Sequence, residues 1–319
     1  MRIHGHQRSS RGDGTKAWRE RNGAGMILSQ RKAEGLLVLT TLIAACGWVF
    51  SREALSAMPP MAFLSGRFLL ASMALLGFCR RRDFRILAGS LDKVLISGGW
   101  QACNMLLWIY AVAITPSLGE GAFIMSLSML FVPLVAWAML RARPIRAFWA
   151  SLPLAVIGLG LLTLHTGLTW DVSQILFLAA ALFQAIYFCY NSHYVRSIAP
   201  LPLASIQLAC TGLASLALSA CFETWPKQLD IATWGWLLGS AFIATSLRFW
   251  LQLSGQSITS AANAALVMVL EPLFTFIVSA SFYGESMRSP QLLGCGLILL
   301  ALFYYRWRLS RLNPDSRRR

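Results

Sequence analysis

Charge is scarce in this chain, and acid is scarcer. Only 13 of 319 residues are Asp or Glu, against 28 Lys or Arg, and charged residues make up 13% of the whole, roughly half the share of an average soluble domain. The shortage is concentrated in the middle of the sequence, which excludes a water-soluble body. Paired cysteines are lacking too. Seven are present (Cys46, Cys79, Cys103, Cys189, Cys210, Cys221 and Cys295), none in a C-x-x-C pair and all within or at the ends of apolar stretches, so they read as small packing residues, neither disulfides nor metal ligands. The four histidines (His4, His6, His165 and His193) stand in the tail or at span ends, with no acid or cysteine at metal-ligand spacing. The glycines of "GLGLL" (158–162) and "GWLLG" (235–239) follow no strand, as a phosphate loop would, and suit close helix approach instead. No cofactor or metal is expected.

Apolar sequence is what the chain has in quantity: 56% of residues are hydrophobic and the mean hydropathy is +0.58. Ten stretches have the length and character to cross a bilayer: 34–51, 59–79, 94–114, 120–140, 147–165, 174–192, 203–221, 232–253, 263–282 and 290–305. Without water to satisfy backbone polar groups, spans of this length are helices. The expectation is an all-α integral membrane protein with ten transmembrane helices.

Lys and Arg set its orientation, because cytoplasmic segments hold the positive charge. Eight precede Glu34, five lie in 80–93, three in "RARPIR", one is Arg196 and six follow from Arg306. The opposite loops carry only Arg52, Lys227 and Arg288. Both termini are therefore expected in the cytoplasm. The net charge of +15 is spread over five membrane-flanking segments with no single basic patch, so topology explains it and nucleic acid does not. Residues 1–33 and 306–319 are expected to be basic cytoplasmic tails, the first disordered and without the apolar run of a signal peptide. "GMILSQRKAEG" makes Met26 an alternative start to Met1.

The chain repeats itself. A shift of 144 residues lays "AIT" (113–115) on "SIT" (257–259), and one of 143 lays "LSMLF" (127–131) on "LEPLF" (270–274). The repeats, 34–165 and 174–305, hold five helices each. Five is odd, so the second enters the membrane upside down, and inverted repeats of this kind place a solute site near the midplane where they meet.

Polar residues inside the spans follow that symmetry. Ser97, Gln101, Asn104 and Trp108 share one face of the third helix, and the 144-residue shift carries the last three onto Thr245, Arg248 and Gln252. These stripes either line a cavity or make interhelical hydrogen bonds. Gln184, Tyr187 and Asn191 form a third stripe. Glu271 stands roughly 13 Å from either interface, too deep to snorkel, so an ionised carboxylate there needs a cation, hydrogen-bond donors or water. Beside it, Pro272 is expected to kink the helix by leaving the carbonyl of Met268 without a donor. Thr275 continues the face of Glu271. Arg67 is the expected positive partner of Glu271, while Arg248, close to a helix end, either faces the cavity or reaches the headgroups.

"GWVFSREALSAMPPMAFLSGRFLL" (47–70) and "LEPLFTFIVSASFYGESM…QLLGCGLILLAL" (270–302) together resemble the EamA family of the drug/metabolite transporter superfamily. The resemblance rests on Arg52, Pro59–Pro60, Arg67–Phe68, Glu271–Pro272, Gly284–Glu285 and the glycines Gly294 and Gly296, and runs from about Glu34 to Arg306. It implies a secondary transporter in the cell (inner) membrane, moving an amino acid, related metabolite or drug-like compound by alternating access, as an exporter, with no catalytic residues. The first repeat departs from the second, with Ser128–Met129 in place of Glu271–Pro272 and Arg141–Ala142 in place of Gly284–Glu285. Its own helix-breaker is Pro133. The solute-contacting residues are expected to be Arg67, Gln101, Asn104, Trp108, Tyr187, Asn191, Arg248, Gln252, Glu271 and Thr275, with Glu271 either taking a coupling proton or pairing with an arginine. The alternative reading is a membrane-embedded enzyme acting on a lipid or isoprenoid. It would need a nucleophile and base at depth, where no His or Asp lies.

Overall fold

The computed structural model describes residues 34–79, 89–141, 143–163, 171–194, 198–226, 228–252, 267–268 and 270–312. Among these residues there is no strand. Helices α1 (Glu34–Leu55), α2 (Pro60–Leu76), α3 (Leu91–Ile114), α4 (Leu118–Leu140) and α5 (Arg146–Thr163) form the first half. The second half begins with α6 (Val172–Tyr194) and α7 (Pro200–Phe222). Helix α8 starts at Ile231–Leu238, widens to a π-helix over Gly239–Leu247 and runs on to residue 252, and α9 (Glu271–Tyr283) and α10 (Ser289–Leu312) complete it. Five stretches are long and apolar enough to cross a membrane by themselves: Glu34–Leu55, Pro60–Gly77, Leu118–Leu140, Val172–Asn191 and Leu201–Phe222. Arg146–Leu161 and Ser289–Tyr305 are shorter apolar helices.

The halves pack through equivalent helices, α2 along α7 and α5 along α10. Glycine sets the second contact: a Cβ on Gly158 would lie 2.7 Å from the backbone oxygen of Gly294, so only a residue without one lets the helices come this close. Gly160 and Gly235, by contrast, have nothing within 4 Å of that position. Several hydroxyls inside spans are satisfied on the preceding turn, as Ser51 is on Gly47 O (2.6 Å) and Ser215 on Thr211 O (2.7 Å), which offsets the cost of a polar group in the apolar interior.

Carboxylates cap the helices at one end of the bundle. Glu285 accepts from Ser117 Oγ, Leu118 N and Gly119 N at 2.9, 3.0 and 3.3 Å, at the start of α4. Glu223 accepts from Met61 N and Ala62 N, both at 2.8 Å, at the start of α2. Asp230 caps α8, and its hydrogen bonds from the Thr233 side chain and backbone hold its carboxyl below the usual range. Tyr283 donates to Glu53 at 2.7 Å at the same end.

One expectation about helix breaks is corrected. Next to Glu271 the described helix is interrupted beside Pro272: Leu270 N bonds to Val267 O at 3.0 Å, and α9 starts at Glu271 with Pro272 in its first turn. A proline there gives up no hydrogen bond. Pro133 does not break α4, which remains helical through it. The break lies at Leu127, where Leu127 N bonds to Ile124 O (3.1 Å) and Leu130 N to Leu127 O (2.8 Å). Leu127 and Leu270 are equivalent under the 143-residue shift, so both repeats interrupt the same helix at the same place. Their far ends match too. Arg141 (φ 55°) and Gly284 (φ 63°), again 143 apart, close α4 and α9 in the left-handed conformation.

Candidate functional site

The two interrupted helices face a common cavity of about 440 Å³. Ser126, Ser128 and Met129 border it at the break in α4, and Met268, Glu271 and Pro272 at the break before α9. Helix α3 contributes Gln101, Asn104 and Trp108 from one face, α6 contributes Gln184 and Tyr187, and α8 contributes Arg248 and Gln252. Eight of the ten residues predicted to contact solute line this space: Arg67, Gln101, Asn104, Trp108, Tyr187, Arg248, Gln252 and Glu271.

Its charges are arranged differently from expectation. Glu271 pairs with Arg248, Nη2 to Oε2 at 3.2 Å, and not with Arg67. Both partners are about a quarter exposed (25% and 24%). Arg248 comes from the helical turn just after the π segment and reaches the start of α9. Arg67 is 6% exposed and held by neutral oxygens, Nη1 donating to Ser51 Oγ at 2.8 Å and Nε to Thr245 Oγ1 at 2.9 Å. Its guanidinium carbon lies 5.6 Å from the ring centre of Trp108, within cation–π range. The π segment serves this contact: Thr245 Oγ1 donates to Ser240 O, five residues back, at 2.9 Å while accepting from Arg67.

Two predicted contact residues turn elsewhere. Thr275 donates to Glu271 O at 3.0 Å and is buried behind it. Asn191 accepts from Ser97 Oγ and, at 2.9 Å, from Gln207 Nε2. Gln207 lies outside the stripes of α3, α6 and α8. It also donates to Ser97 Oγ at 2.7 Å and accepts from Tyr187 Oη at 2.9 Å, so it ties α7 to α3 and α6. A shift of 140 residues lays Ser51 on Asn191 and Arg67 on Gln207. The Arg67 cluster (α2 with α1 and α8) and the Gln207 cluster (α7 with α6 and α3) are therefore counterparts. Each stands seven residues, about 10 Å, into its helix, from opposite ends of the bundle.

Aromatic residues wall the cavity towards the Glu285 end. Trp48 meets Trp108 edge to face at 5.2 Å and Phe177 at 5.7 Å. Gly121 makes room for Phe177, whose ring a Cβ there would strike at 2.5 Å. The sequence matches the EamA-like transporter family over residues 31–164 and 172–307. The chain belongs to that family. This EamA protein is 28% identical over 284 residues to an uncharacterized transporter of Archaeoglobus fulgidus, covering 86% of this chain and 89% of that protein. It is 25% identical over 301 residues to the uncharacterized inner membrane transporter YicL of Salmonella typhimurium, covering 88% and 96%. One crystal structure superposes with a TM-score of 0.57 at 15% identity, over 91% of this chain and 99% of its own, which shows a common fold. EamA membership makes this a multi-pass membrane protein whose partners are the bilayer and a small-molecule solute.

Proposed function

We propose that the protein is a secondary transporter of the cell (inner) membrane that exports a small metabolite by alternating access, with both termini in the cytoplasm. The observation that carries this reading is that one cavity is lined by both repeats at their equivalent helix breaks. Inverted halves with interrupted helices at a shared midplane site are the architecture that lets one repeat rock against the other. The distribution of basic flanking segments supports a Glu285 end that faces outside. There the capping carboxylates and the Trp48–Trp108–Phe177 wall close the path, while Gln184, Tyr187 and Gln252 extend the polar lining towards the cytoplasm. A solute entering from inside meets Arg248 and Glu271, and a change in their pairing couples its binding to the movement of α8 against α9.

The test is flux of a mixed metabolite pool through purified protein in liposomes, wild type beside Glu271→Gln, with and without a pH gradient. Loss of flux in the variant puts Glu271 in the transport cycle, and dependence on the gradient makes it the carrier of a coupling proton. Equal flux in both removes that role. Turnover of bilayer lipid without solute flux would favour the enzyme reading over transport.

A further inference from the structure

We propose that the corner of the bundle where α5 begins and α10 ends binds an anionic phospholipid with two phosphates, of the cardiolipin type, whose headgroup lies between arginines of the two halves. The site is separate from the cavity and does not depend on what the cavity carries.

Two basic segments of equal spacing meet there. "RARPIR" (141–146) and "RWRLSR" (306–311) both read Arg-x-Arg-x-x-Arg. Along the chain their charge is scattered, and packing gathers it. The ring of Phe148, at the start of α5, meets that of Tyr305, near the end of α10, edge to face at 6.2 Å. Gly158 meets Gly294 further along, so the two helices run antiparallel. Arg146 stands two residues beyond the first contact and Arg308 three, about 3 and 4.5 Å along their axes. The two triplets therefore stand at one level. Arg143, Arg146, Arg308 and Arg311 are exposed and form no ion pair among the described residues. Their own helices supply no acid either, since neither 121–170 nor 286–314 contains Asp or Glu.

Positive charge at the end expected to face the cytoplasm serves orientation by itself. Three features make this corner a binding site as well. Every basic residue of both segments is arginine and none is lysine, and the planar guanidinium grips phosphate oxygens two at a time. Tryptophan lies directly beneath the charge: the guanidinium carbon of Arg311 is 4.2 Å from the ring centre of Trp307, and the exposed Trp149, one turn from Arg146, meets Trp137 edge to face at 6.3 Å. Indoles of this kind sit at headgroup depth. Each stripe then continues into apolar surface on the same exposed face, through Phe303 and Leu300 on α10 and through Val156 on α5. From its tip into the membrane, each helix thus offers guanidinium, indole and aliphatic surface in turn, which is the order of phosphate, glycerol and acyl chain in a phospholipid. A soluble polyanion would engage the arginines and leave the rest unused. Two triplets, one on each helix, match one phosphate apiece. Because α5 belongs to the first half and α10 to the second, the bound lipid fastens the halves together at their periphery.

The experiment counts lipids bound to the purified full-length protein by native mass spectrometry during titration with cardiolipin, phosphatidylglycerol and phosphatidylethanolamine. Cardiolipin should bind about fivefold or more tightly than either of the others. Arg146→Gln/Arg308→Gln should lose about fivefold or more for cardiolipin and leave phosphatidylethanolamine unchanged, and Arg143→Gln/Arg311→Gln, a second pair at the same corner, should behave alike. Lys93→Gln/Arg196→Gln removes the same charge from two other basic segments and should keep the wild-type affinity. Cardiolipin should also raise the unfolding temperature of wild type more than that of either corner variant. Phosphatidylglycerol or phosphatidylethanolamine binding as tightly as cardiolipin overturns the proposal. So does an equal loss in the corner and control variants, because the attraction would then be one of net charge and not of a site.

Discussion

The first and second halves of this chain build the same five helices and equip them differently at nearly every equivalent polar position. Arg67 of α2 matches Gln207 of α7. The break in α4 is followed by Ser128 and Met129, the break before α9 by Glu271 and Pro272. Helix α3 is regular throughout Leu91–Ile114, whereas α8 widens to a π-helix over Gly239–Leu247. Duplication has therefore preserved the frame, set by apolar helix faces and interruption points. The chemistry has diverged: the second half places Glu271 in the cavity, and the first places Arg67 there, which forms no ion pair among the described residues.

The sharpest break of the comparison is at the caps. Glu285 in the second half closes the start of α4 in the first with three hydrogen bonds, while its counterpart, Ala142, has no side chain to cap with. Glu285→Ala should cost about 3 kcal/mol, since a charged acceptor serving several N–H and O–H donors is lost. The cost would be read as a fall in unfolding temperature in detergent. An unchanged temperature would mean that α4 starts without help from the other half.

Next come the two clusters. Gln207→Leu leaves Tyr187 Oη without its acceptor and takes one donor each from Asn191 Oδ1 and Ser97 Oγ, which keep their bond to each other, and should cost about 2 kcal/mol. It should also slow flux in liposomes if the cluster holds α7 to α6 during the cycle. A variant as stable and as fast as wild type would show that Gln207 is not the working counterpart of Arg67. The helix contact shared by the halves gives a smaller effect. Gly158→Ala places a methyl against the backbone of Gly294 and should cost about 1.5 kcal/mol through separation of α5 and α10, whereas Gly160→Ala meets nothing and should be neutral or slightly stabilising. Equal stability of the two variants would dissolve the claim that α5 and α10 are in close register.

Much of this was legible in the sequence because it depends on local pattern. Apolar runs gave the helices, and spacing along α3 brought Gln101, Asn104 and Trp108 to the cavity together. Pairing was not legible. Arg67 and Arg248 are both arginines within spans, and only packing puts the second beside Glu271, 23 residues away in sequence. The break at Leu127 carries no proline or glycine to mark it, and Pro133 nearby gives a misleading signal. Gln207 was signalled twice: it heads a stripe with Thr211, Ser215 and Ser219 at four-residue spacing along α7, and a shift of 140 residues lays Arg67 on it. Asn191 and Thr275 show the converse limit: the face a residue occupies on its own helix does not say whether a neighbouring helix covers it.

The smallest expected effect tests the frame itself. Arg141 and Gly284 end equivalent helices with φ of 55° and 63°, a conformation that glycine adopts without penalty and a side chain with Cβ resists by roughly 1–2 kcal/mol. The Arg141 side chain forms no ion pair among the described residues, and burial does not compensate the strain, since the residue is exposed. Arg141→Gly should therefore stabilise the protein by about 1 kcal/mol, less than the strain released because glycine also loosens the unfolded chain. Gly284→Arg should lose a similar amount, with any contact to nearby Arg52 adding repulsion. Opposite signs from the reciprocal pair would establish that both helices obey one backbone requirement that only the second half meets at no cost. A destabilising Arg141→Gly would mean instead that the arginine holds the end of α4 through its charge, and that the halves differ in how they stop a helix as well as in what they place in the cavity.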